Sequence, residues 1–127
     1  MVIHDNFADF IVFLYIHMSH ADNEYHVKEQ DMVKVKMKRL FPDTTNAPMT
    51  AKYEKALSQY KLVKKEDVIV VIRDSFKHFN SVKPTLKYKV LSDLFDLISA
   101  DGRIDERETT TVEELKEIMG ILIEFVS

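Results

Sequence analysis

The sequence predicts an all-α fold, on three observations. There are only two glycines and three prolines in 127 residues, too few for a protein built from turns and short strands. Apolar residues recur at three- and four-residue spacing along most of the chain, as amphipathic helices require. A short string also occurs twice, each time after an apolar helical stretch. Ala21-Asp22-Asn23 returns as Ala100-Asp101-Gly102, and each copy is followed by a glutamate seven residues after its aspartate, Glu29 and Glu108. The offset between the copies is 79 residues, and Val33 and Val112 keep it. A duplicated acidic turn between two helices implies one structural unit used twice, as repeat one over about 7–41 and repeat two over about 84–120.

The first helix is expected over about 7–19. Phe7, Phe10, Ile11, Leu14, Tyr15 and Met18 mark one face, and Val12, Phe13 and Ile16 make the others apolar, the pattern of a helix buried on all sides. Asp22 and Asn23 break it, and Asn23 suits the left-handed backbone that closes a helix. The second helix is expected over 27–40 with Val33, Met37, Leu40 and Phe41 inward. The segment Val33-Lys34-Val35-Lys36-Met37-Lys38 alternates like a strand. The stripe nevertheless continues at helical spacing without Gly or Pro, so helix prevails, and Pro42 ends it.

Residues 42–50 read as a polar connector. A third helix is expected over about 50–61, with Tyr53, Leu57 and Tyr60 on one face, and a fourth over about 65–79. The run Val68-Ile69-Val70-Val71-Ile72 would suit a buried strand. Ile72, Phe76 and Phe79 carry the pattern past strand length, which favours helix. Pro84 suits a helix's first turn, where its missing N–H costs nothing, and opens a fifth helix to about Ser99. Val90, Leu91, Leu94, Phe95, Leu97 and Ile98 form its apolar side, making it the expected second central helix. Gly102 follows as a left-handed stop. Asp105 with Glu108 fits a capping box for helix six, which runs to about Met119, with Gly120 as its stop. The apolar tail 122–126 should dock on the core. The whole reads as a single domain, 1–127.

Composition narrows the function classes. Cysteine is absent, which excludes disulfides and thiolate metal sites and fits a reducing compartment. Phe10 to Ile16 is seven apolar residues, far short of the roughly 20 that span a bilayer. Asp5 and Asp9 precede or adjoin it with no Lys or Arg, the opposite of an export signal. The expected location is therefore cytoplasmic, with no transmembrane segment. The net charge of −3 conceals a polarity: residues 28–65 carry ten basic and four acidic side chains, and residues 100–127 carry three basic and eight acidic. Catalysis finds no cysteine nucleophile, no phosphate-cradling glycine loop and no nucleophile elbow, so an enzyme is not expected.

The segment Ala-Asp-Gly-Arg-Ile-Asp-Glu-Arg-Glu over residues 100–108, between a central helix and an amphipathic helix ending Met-Gly-Ile, resembles the TerB-like domains. These are helical proteins associated with tellurite resistance, related to a domain found beside some J-domain co-chaperones. The copy over residues 21–29 fills the other half of the family's duplicated pattern. It departs from that pattern where Asn23 replaces Gly and Tyr25-His26-Val27 replaces Ile-Asp-Glu. The resemblance implies a non-enzymatic module of a stress response, binding metal ions through acidic residues or acting as a protein-interaction scaffold. By position, the matching residues are Asp22 and Glu29 in the first half, with Asp101, Gly102, Asp105 and Glu108 in the second.

Carboxylates of this kind suit a hard divalent cation, Ca²⁺, Mg²⁺ or Mn²⁺. The spacing is not that of an EF-hand, which needs Gly at the sixth position and Glu at the twelfth. A structural role is also open to them. Asp105 and Glu108 favour a helix's positive end, and Asp101 can hydrogen-bond the turn backbone. His17, His20 and His26 near these acids are a weaker metal set without closed tetrahedral spacing. The alternative function is binding of nucleic acid or an anionic surface through the basic 28–65 region. Lys34, Lys36, Lys38, Arg39, Lys61, Lys64 and Lys65 would meet phosphates, with Tyr53 and Tyr60 as stacking surfaces. A sequence pI near 5.9 and alternating lysines, the mark of a solvated helix face, weigh against it.

Overall fold

A computed structural model of the chain describes residues 1–19, 27–42, 46–100 and 109–127. Six helices occupy them and no strand occurs among the described residues. They are α1 (Phe7–Ser19), α2 (Val27–Leu40), α3 (Asn46–Leu62), α4 (Lys65–His78), α5 (Pro84–Ala100) and α6 (Thr109–Val126). Both strand-like runs, at Val33–Met37 and Val68–Ile72, are helical. They group into two compact units, His4–Lys64 with α1 to α3, and Lys65–Ser127 together with Met1–Ile3. Helix, acidic segment, helix occurs once in each, as α1–α2 and as α5–α6.

In the first unit α1 packs on α3 and α2, and α2 on α3. Every residue from Phe10 to Ile16 is wholly buried, as expected of a helix apolar on all faces. Its start is fixed by a cap the sequence did not announce. The Asn6 side-chain oxygen accepts the Asp9 N–H at 2.9 Å, and the Asn6 amide nitrogen donates to the Asp9 carboxylate at 3.3 Å. That satisfies one of the donors a helix leaves unpaired at its N-terminus. Asp9 is itself buried and takes an ion pair from Lys52 of α3 at 2.9 Å, with Lys55 3.9 Å away.

Among the described side chains of α2 the buried ones are Val33, Lys36, Met37 and Leu40, one face at i, i+3, i+4 and i+7. Lys36 therefore leaves the solvated face expected for it. Its place three residues after Val33 turns its stem inward, and lysine tolerates this because its methylenes are apolar. Helix α3 starts at Asn46, four residues before the expected start. Pro48 falls in the first turn, where no backbone donor is lost. Met49, Tyr53 and Ala56 are its buried residues, while Leu57 and Tyr60 are half-buried.

In the second unit α6 packs against both α4 and α5. Helix α4 buries Val68, Val71, Ile72, Ser75 and Phe76, again one stripe, while Phe79, half-buried, lies just past its end. The Lys83 backbone carbonyl accepts from the N–H groups of Leu86 and Lys87 at 3.0 and 3.1 Å at the start of α5, with Pro84 first in the helix as expected. Val90, Asp93 and Leu94 are buried on α5, and Tyr88 is exposed. Among its described side chains α5 thus buries one stripe rather than its whole circumference. Helix α6 corrects the expected stop at Gly120. It continues to Val126, and its buried residues Ile118, Leu122 and Phe125 share one face across Gly120. The apolar tail does dock on the core, as further turns of the same helix. Glycine weakens a helix interior but does not terminate one unless the backbone turns left-handed there.

Candidate functional site

In chain order the aspartate of each acidic string follows one described helix and precedes the next. Helix α1 ends at Ser19 and α2 opens at Val27; α5 ends at Ala100 and α6 opens at Thr109. Glu29 falls in the first turn of α2. Asp22, Asn23, Asp101, Gly102, Asp105 and Glu108 lie outside the described residues, as do the capping box expected of Asp105 with Glu108 and the side chain of Glu29. His20 and His26 lie outside them too. Among the described residues no group of three or more His, Asp or Glu side chains is arranged to hold a metal ion.

His17 is described, and its geometry is that of a packed residue. Its Nδ1 lies 2.9 Å from the Tyr60 hydroxyl across α1 and α3, with the two rings 5.7 Å apart. A hydroxyl can donate to or accept from an imidazole nitrogen, so this atom is already engaged. Phe13, one turn earlier on α1, also meets Tyr60, at 5.6 Å and edge to face, an arrangement favoured by the ring quadrupoles.

The basic region separates into unlike parts. The Tyr53 ring is buried, so it offers no stacking platform, contrary to expectation. Lys34 stands 5.6 Å from that ring's centroid, within cation–π range. Lys36 is buried on the inner face. Lys38, Arg39, Lys61, Lys64 and Lys65 are exposed. Tyr60, the other residue expected to stack on bases, is half-buried and packs against Phe13 and His17.

Two features escaped the sequence reading. One is His4, only 6 % exposed, set against Phe13 at 4.8 Å and Phe10 at 6.0 Å between ring centroids. Neither of its ring nitrogens has a hydrogen-bond partner among the described residues. Burial lowers its pKa from 6.5 to about 4. Asp9 opposes that shift, Lys55 adds to it, and Asp5 opposes it weakly. The other is a cleft of about 310 Å³ on the α4–α6 unit, with Phe76 and Phe125 in its lining.

Fold and acidic segments together define a small multihelical module whose conspicuous carboxylates sit at interhelical junctions. A profile of the family described as Tellurite resistance protein TerB matches residues 8–124. The chain belongs to the TerB family. The match spans both units and both acidic strings. No curated protein and no solved structure matches the chain.

Proposed function

We propose that this helical module of the tellurite-resistance type is non-enzymatic and takes up a divalent cation at its acidic junctions, Asp22 with Glu29 and Asp101 with Asp105 and Glu108. The observation that supports the reading is positional. The aspartate-and-glutamate string occurs twice at one internal spacing, and in chain order each aspartate follows one long helix and precedes the next. The donors are all oxygen, which suits Ca²⁺, Mg²⁺ or Mn²⁺ rather than a softer metal. The second string, with three carboxylates, is the stronger half.

Calorimetric titration of Ca²⁺, Mg²⁺ and Mn²⁺ into the full chain tests this, beside thermal melts. An ion at a hundred times its dissociation constant stabilises the folded state by about 2.7 kcal/mol. Asp101→Ala should lose the part of the heat and of the stabilisation that the second junction supplies. No heat and no stabilisation with any of the three ions would leave the junctions as docking points for a protein partner, the other role the family suggests. The nucleic-acid alternative through residues 28–65 loses support from the burial of Tyr53 and Lys36. A gel shift without a salt-dependent complex would remove it.

A further inference from the structure

Tryptophan and cysteine are both absent from the chain. A single electron taken from the protein therefore comes most readily from a tyrosine, whose phenol is the easiest remaining side chain to oxidise in one-electron steps. There are five tyrosines. Tyr15 and Tyr53 are buried, Tyr88 is 59 % exposed, and Tyr25 lies outside the described residues. Tyr60 of α3 is half-buried, and its hydroxyl lies 2.9 Å from Nδ1 of His17 on α1. Phe13 meets the Tyr60 ring, and His4 packs against Phe13 with 4.8 Å between centroids. All four residues belong to the α1–α3 unit.

We propose that Tyr60 is a one-electron oxidation site whose phenol proton passes to His17. A phenol that loses only an electron becomes a radical cation, and an apolar neighbour such as Phe13 does nothing to solvate that charge. Electron and proton therefore leave together, which requires a base already in hydrogen-bond reach of the hydroxyl. The neutral imidazole meets the requirement when Nε2 carries its hydrogen and Nδ1 accepts from Tyr60. The products are a neutral tyrosyl radical and an imidazolium. The imidazolium forms in the last turn of α1, the end of a helix that favours a cation. The electron goes to a diffusible one-electron oxidant of the class of carbonate radical or nitrogen dioxide, which becomes carbonate or nitrite. A one-electron reductant of the ascorbate class returns the electron, His17 returns the proton, and the pair is reset. The module then serves as a radical sink, independently of its acidic junctions and without a metal.

The test is flash oxidation of the full chain by photogenerated tris(bipyridine)ruthenium(III). The tyrosyl radical is followed by its absorbance and by electron paramagnetic resonance. The wild type should show a fast phase of radical formation that slows in heavy water. Tyr60→Phe should lose this phase. Tyr88→Phe should keep it, although exposure alone would favour oxidation of Tyr88. His17→Gln, whose amide can hold the hydroxyl but takes up no proton, should slow the phase at least tenfold. Should that variant lose its native circular dichroism, the two tyrosine variants still locate the radical and heavy water still reports the proton. Four results would each overturn the proposal: no tyrosyl radical in the wild type, a fast phase that survives in Tyr60→Phe, one that heavy water does not slow, or one that a folded His17→Gln leaves unchanged.

Discussion

Replacing His4 by leucine should make the protein less sensitive to mild acid. In the folded chain the imidazole is buried against Phe10 and Phe13, and its pKa is lowered from 6.5 to about 4. Between those values the unfolded chain holds a proton that the folded chain does not. Stability therefore falls as the pH drops through this window, and the loss is complete below about pH 4. At roughly 1.4 kcal/mol per pH unit, the full displacement is worth about 3 kcal/mol. About 2 kcal/mol of it is already lost at pH 5. Asp9, Asp5 and Lys55 are the charged groups acting on the ring, and His4→Leu leaves all three in place. The assay is urea denaturation of both proteins at pH 7 and pH 5. The unfolding free energy of the wild type should drop by about 2 kcal/mol more than that of the variant. At pH 7 the two should be similar, because the substitution removes two buried nitrogens that have no partner among the described residues while keeping the apolar contact. Equal losses in both proteins would refute the reasoning, since they would show a His4 that takes up its proton as readily folded as unfolded.

Two further outcomes follow from the helices. Gly120→Ala should stabilise the protein by about 0.5–1 kcal/mol in denaturant titrations, because a Cβ at this exposed position inside α6 meets nothing within 4 Å. A destabilised variant would contradict a continuous α6. Asn6→Ala should cost about 1 kcal/mol by removing the acceptor of the Asp9 N–H, measured the same way. An unchanged midpoint would mean that water replaces the cap.

Periodicity carried most of the fold. Helices α1, α2, α4 and α5 lie within a residue of their expected bounds because their apolar positions repeat at helical spacing, Pro42 follows α2 and Pro84 opens α5. The errors arose where a residue has more than one local meaning. Asn46-Ala47-Pro48 read as connector because proline more often breaks a helix than begins one. Gly120 read as a stop because glycine often is one. Lys36 read as surface because the alternation of the lysines hid its place three residues after Val33. The acidic strings were visible at once, being local in the chain. The cleft was not. Arg73, Phe76 and Lys77 look like any helix surface until α6 brings Phe125 to them from 49 residues away. His4 gave no signal either, since it precedes the first periodic segment.

Helix α6 is a single rod of 18 residues, about 27 Å long at 1.5 Å per residue. Glu108 adjoins its first residue, and Phe125 lies near its last. A bound ion's field fades over about 8 Å at physiological salt, so charge arriving at one end goes unfelt at the other. An ion taken up beside Glu108, as proposed above, should therefore leave the amides around Phe125 unshifted.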